Sequence, residues 1–113
     1  MQLIAADTEE LQVKVLGILM DVFFAEDNIP ESALREHEAQ RTPFLVIGEN
    51  GEFIGTAGYR PTASGYKIER IAVLKPHRGN GTGTFLVRQM VKKVKMLWQA
   101  AGHMVKNEAY VYS

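Results

Sequence analysis

Arg78-Gly79-Asn80-Gly81-Thr82-Gly83 lies between a strand-like run at 68–74 and a helix-like run at 85–98. A glycine-rich turn between strand and helix points several backbone N–H groups at one place. The first helical turn has N–H donors without intrahelical partners, and the helix dipole adds partial positive charge there. Glycines let a bulky anion approach the main chain closely, so the stretch reads as a phosphate or diphosphate cradle.

The 113 residues make room for one domain, taken as residues 1–113. Apolar residues are 46% and charged residues 23%, the composition of a globular domain with its own core. Thirteen basic and thirteen acidic side chains balance, which argues against nucleic acid as the main partner, since backbone binding needs clustered positive charge. There is no cysteine, so disulfides, thiolate metal sites and a cysteine nucleophile are excluded. The first ten residues lack a basic n-region, and no apolar run has the length of a membrane span. The expectation is a cytoplasmic protein with no membrane partner.

Upstream, residues 2–6 read as a strand. Asp7 and Glu10 have capping-pair spacing, with Asp7 as N-cap, ahead of apolar positions Leu11, Val15, Ile18, Leu19 and Val22 that predict a helix to about Phe23. Pro30 and Glu31 can open a second helix to about Gln40, although its periodicity is poor. Runs at 43–47 and 53–59 flank Asn50-Gly51, a tight-turn signal. A turn over 61–65 leads to a strand over 66–74 and then the cradle. In the following helix Leu86, Met90, Val94 and Leu97 share a face, and Arg88, Lys92 and Lys95 lie on another. Gly102 suits the helix end, and 108–112 reads as a last strand. The order is β-α-α-β-β-β-α-β: an antiparallel meander whose fourth strand should pair in parallel with the last.

Other glycine motifs fail on spacing. A P-loop needs Gly-Lys-Ser/Thr where Gly83 precedes Thr84 and Phe85, and a dinucleotide fingerprint needs glycine where Thr84 stands. The chain instead resembles the GNAT superfamily of N-acetyltransferases, whose acyl-CoA signature Gln/Arg-x-x-Gly-x-Gly/Ala is matched by Arg78-x-x-Gly81-x-Gly83. The approach Glu69-Arg70-Ile71-Ala72-Val73-Leu74-Lys75-Pro76 is also similar, as is the element order. The resemblance implies an α/β (α+β) fold, a mixed, mostly antiparallel sheet flanked by helices, truncated after the fifth strand.

It further implies acetyl-CoA as acyl donor and direct transfer to a primary amine, of a small molecule or a protein. Ile71, Ala72 and Val73 would pair with the pantetheine arm, in a cleft where the fourth and fifth strands splay. Arg78, Gly79, Asn80, Gly81, Thr82 and Gly83 would hold the diphosphate, and Thr84 could add its hydroxyl. The Val73 amide would donate to the thioester oxygen. Such a donor contributes about 2.7–4 kcal/mol in a protease oxyanion hole.

The amine must lose a proton, and an alkyl ammonium has a pKa of about 10. Glu69 is the candidate general base; the structural alternative is a strand residue paired with Lys67 or Arg70. Tyr110 and Tyr112 could supply an acid for the leaving thiolate, though packing is the favoured role. His37, His77 and His103 have no metal-ligand spacing, so no metal is expected; His77 abuts the cradle and could contact a phosphate. Asp27, Glu31 and Glu36 are acids that could attract a cationic acceptor.

Family members continue past the fifth strand, whereas this sequence ends at Ser113. Three readings follow: a truncated copy of an enzyme, a homodimer that covers the open sheet edge, or a catalytically impaired CoA-binding or interaction module.

Overall fold

A computed structural model of the chain describes residues 1–102 and the backbone of Tyr110–Tyr112. The expectations placed on His103, on Glu108 and on the side chains of Tyr110 and Tyr112 lie outside the described residues.

Strand β1 is Gln2–Ala5, and helix α1 is Glu9–Leu19. Its N-cap is Thr8, whose hydroxyl accepts from the Leu11 N–H at 3.2 Å, and not Asp7 as the capping pair suggested. Thr8 holds the extended backbone a cap requires (φ −119°, ψ 158°), one residue later than expected. The helix also runs on past Phe23, through a π-helical turn at Met20–Phe24 into the short α2, Ala25–Asp27. Asn28 stops it with a left-handed φ of 58°.

The expected second helix is broken. Only Glu31–Leu34 (α3) and a 3-10 turn at Glu38–Gln40 form, separated by His37 at φ 61°. Weak apolar periodicity left nothing to hold a continuous helix against the sheet.

Strands β2 (Thr42–Ile47), β3 (Phe53–Thr62) and β4 (Gly65–Val73) follow. The sheet order is β1-β2-β3-β4-β5, antiparallel except for β5 (Tyr110–Tyr112), which runs parallel to β4. Strand β3 is longer than predicted: Pro61 and Thr62 pair with Tyr66 and Gly65, leaving Ala63-Ser64 as the turn. Helix α4, Thr82–Ala100, ends where Gly102 takes φ 87°.

Side-chain alternation in the strands makes two cores. Phe44 and Val46 face α4 with Ile54, Ile68, Leu86, Met90 and Val94. Leu45, between them, faces α1 with Ile18, Leu19, Val22, Leu34 and Ala72. Leu86, Met90 and Val94 are fully buried, each stabilising the packing by about 1.5–3 kcal/mol. Both layers converge on the carboxyl end of β4, where the glycine loop begins.

Candidate functional site

The loop leaves β4 through a 3-10 turn, Lys75–His77, and enters α4 at Thr82. Gly79 and Gly81 take φ 84° and 87°, conformations that a side chain resists. Helix α4 has no side-chain cap: Gly81 is its N-cap, and the Thr82 hydroxyl turns to Asn80 Oδ1 at 2.6 Å. The first backbone bond of the helix is Phe85 N–H to Gly81 O, at 2.9 Å. The N–H groups of Gly79, Asn80, Gly81, Thr82, Gly83 and Thr84 therefore meet no backbone acceptor among the described residues.

Gly83 sharpens the point. Its φ is not left-handed, and a Cβ built on it meets nothing within 4 Å. Nothing in the fold requires glycine there, although glycine inside a helix costs about 0.5–1 kcal/mol relative to alanine. Space kept clear beside six N–H groups that meet no backbone acceptor among the described residues suits a large anion lying against the backbone.

Strand β4 carries the edge that leads to this loop. Its ladder with β5 covers only Tyr66, Lys67 and Ile68. The Leu74 N–H bonds to Ile54 O of β3 at 2.9 Å. Successive peptide groups of a strand point to opposite sides, so the Val73 N–H points away from β3. A bulge interrupts the β3–β4 register between Thr56 and Gly58, and Arg70 within it has φ 57°. That conformation is strained for a residue with a side chain. It is held from both ends of the arginine fork: Arg70 Nε and Nη2 donate to Leu34 O at 3.3 Å and Ala33 O at 2.9 Å, the carbonyls ending α3.

Arg78 stands at the loop entrance. Its Nε donates to Val73 O at 2.8 Å, and both terminal nitrogens bind the Glu26 carboxylate, at 2.9 and 2.7 Å. The Arg78 hydrogen bond and charge hold the Glu26 carboxyl below its ordinary value, and Glu26 raises Arg78 in turn.

Glu69 is 2% exposed and lies among three guanidinium groups. It accepts from Arg60 Nε, and its other oxygen is 3.5 Å from both Arg41 Nη2 and Arg70 Nη1. Burial by itself would raise this carboxyl, but the Arg60 hydrogen bond and the charges of Arg41, Arg60 and Arg70 hold it below the ordinary carboxylate value.

Beside this cluster, between α1, the 34–41 segment and the sheet, is a cavity of about 850 Å³. Arg41, Arg70, Thr56 and Gly58 line it on the sheet side, and Leu16 and Leu19 line it on the helix side. Gly58 matters here: a Cβ on it would lie 2.6 and 2.7 Å from Arg41 Cγ and Cδ, so its absence lets the Arg41 stem cross β3.

Of the acids singled out in the sequence, Glu31 is 3.6 Å from Arg35 and Glu36 is 3.4 Å from His37. His77 is 3.4 Å from Glu52, in a hollow of about 290 Å³ that Asn80 and Thr82 also line. Among the described residues no group of three His, Asp or Glu could hold a metal ion, and no helix is long and apolar enough to cross a membrane.

The structure thus brings Ile71, Ala72, Val73 and residues 78–84 together at one end of β4, with Glu69 two to four residues back from the first three on the same strand. The Glu69–Arg70 pairing was the structural alternative read from the sequence, while Arg41 and Arg60 beside Glu69 and the Glu26 partner of Arg78 were missed. The missed contacts join distant segments, and no local spacing announces them.

The sequence profile of the Acetyltransferase (GNAT) family matches residues 13–106, and the chain belongs to that family. The chain is 26% identical over 92 residues to an uncharacterized N-acetyltransferase, YjcF, of Bacillus subtilis (strain 168), covering 81% of this chain and 66% of that protein. A GNAT family acetyltransferase from Elizabethkingia anophelis, solved with acetyl-CoA bound, superposes with TM-score 0.64 at 20% identity, over 84% of this chain and 57% of that one. An aminoglycoside 6'-N-acetyltransferase complexed with coenzyme A gives TM-score 0.64 at 22% identity, over 83% and 55%. These likenesses extend to the fold, and the chain spans somewhat over half to about two thirds of the length of these relatives.

Proposed function

We propose that this single domain binds acetyl-CoA along the β4 edge and the 78–84 loop, and passes the acetyl group to a primary amine by direct attack. The observation that carries the reading is the run of six N–H groups, from Gly79 to Thr84, that meet no backbone acceptor among the described residues, beside the unfilled space at Gly83. The diphosphate would take those donors, with charge-assisted hydrogen bonds of about 1.5–3 kcal/mol each. The pantetheine arm would lie along Ile71, Ala72 and Val73 as an added strand. The outward Val73 N–H would then meet the thioester oxygen, whose charge grows as the amine attacks. Two of the solved structures above, with acetyl-CoA and with coenzyme A bound, support the choice of ligand.

Glu69 is the carboxylate proposed to take the ammonium proton. Three guanidinium groups weaken it as a base, so it would take the proton through an intervening water and then release it to solvent. The test is acetyl-CoA consumption with a panel of amines against a Gly81→Asp control. Turnover lost in the control supports transfer, and equal rates in both proteins contradict it.

The enclosure of Glu69 also favours a second reading, a module that holds CoA without chemistry. Calorimetric binding of CoA with no turnover on any amine would select it.

A further inference from the structure

Arg41, Arg60 and Arg70 bring three positive charges to the one carboxylate of Glu69. Their side chains are only 6%, 19% and 25% exposed, so water compensates the surplus poorly, and least at Arg41. A buried cation without a counter-charge is costly, and such surpluses persist where something else supplies the charge.

The three arginines are not equally engaged. Arg70 spends Nε, Nη1 and Nη2 on Leu34 O, Glu69 and Ala33 O. Arg41 turns Nη2 toward Glu36 O and Glu69, while its Nε is buried with no hydrogen-bond acceptor among the described residues. That nitrogen belongs to a side chain lining the 850 Å³ cavity. Buried polar atoms are almost always satisfied, so a guanidinium with one buried nitrogen left without an acceptor among the described residues adds to the uncompensated charge beside the cavity. Acids also line this space, namely Glu9, Glu10 and Glu38, but all three are exposed and Glu38 is 3.5 Å from Arg35. The cavity is therefore basic against the sheet and carries both signs toward solvent, where exposed Arg35 stands among these acids.

We infer that the cavity receives an acceptor carrying an oxyanion, a carboxylate or a phosphate, which pairs with Arg41 and completes the charge balance that Glu69 leaves open. The substrate class is then an anion-bearing amine, a refinement that rests on the proposed transfer only for its amine half. Planar guanidinium forks suit both oxyanions, and lysine would not reproduce the fit.

The test is a calorimetric titration of the full chain, without CoA, using 4-aminobutanoate, phosphoethanolamine and butylamine. At least one anion-bearing amine binds about tenfold or more tightly than butylamine, and which one does so identifies the oxyanion. Arg41→Gln abolishes the difference and Arg41→Lys restores part of it. Because the comparison among ligands uses the wild-type chain, it stands even if Arg41→Gln fails to fold. Equal affinities for all three amines, no binding by either anion-bearing amine, or a difference unchanged in a folded Arg41→Gln would overturn the inference. Loss of the CoA reading leaves this titration readable, and a flat titration alongside intact CoA binding sinks this inference alone.

Discussion

Arg78 and Glu26 stand 52 residues apart in the chain, and their side chains meet in a two-pronged ion pair. The same guanidinium also donates to Val73 O, so one side chain joins the end of the first helical segment, the edge of β4 and the entrance to the glycine loop. The signature arginine thus works here as a brace for the loop.

Glu26→Gln loosens that brace. The pair is partly exposed, so thermal stability stays near wild type while CoA binding at neutral pH weakens. The Glu26 carboxyl is depressed in the folded state, so its contribution is present above its ordinary value of 4.5 and disappears as pH falls through the lower folded value. Titrating CoA at several pH values checks this: wild type and variant converge in acid and separate toward neutrality.

Gly83→Ala separates fold from function. With open space at Cβ and a helical backbone, alanine is accommodated and stabilises the helix by up to about 0.5–1 kcal/mol. The added methyl group occupies the space reserved for the diphosphate. Thermal denaturation should show equal or higher Tm, and calorimetry should show weaker CoA binding.

Glu69→Gln removes the counter-charge of buried Arg41 and of the partly buried Arg60 and Arg70. Breaking a buried ion pair from one side costs about 3–5 kcal/mol, a large part of the stability of a domain this small. The Glu69 carboxyl is also held below its ordinary value, so wild-type stability from this cluster is lost as pH falls through that depressed value. Denaturant melts of both proteins at neutral and acid pH should differ most at neutral pH.

Gly58→Ala displaces the Arg41 stem, since the new Cβ would overlap Cγ and Cδ. Overpacking of this kind costs about 1–3 kcal/mol. Acetyl-CoA affinity is unaffected, while binding of an anion-bearing amine is lost, as paired titrations of the two ligands would show.

What the sequence made legible followed from local patterns. The strand-like runs at 43–47 and 53–59 around Asn50-Gly51 and the helical spacing at Leu86, Met90 and Val94 placed the sheet and its back helix. Gly79 and Gly81 marked the loop because their positive φ values demand glycine. The second helix was misjudged because His37 adopts a left-handed turn that no propensity forecasts. Thr8 displaced Asp7 as cap because both are good caps and the neighbouring strand decides between them. The arginine cluster stayed hidden for a different reason: Arg41, Arg60 and Glu69 come from three separate segments, and the Arg70 bulge is a register event.

The account depends on backbone donors at the head of α4 gripping a diphosphate. Coenzyme A and pantetheine share the thiol arm and differ in the diphosphate nucleotide, so their affinities for the full chain isolate that grip. Coenzyme A should bind about 100-fold or more tightly than pantetheine, with inorganic pyrophosphate competing for its site. Equal affinities, with no competition from pyrophosphate, would contradict it.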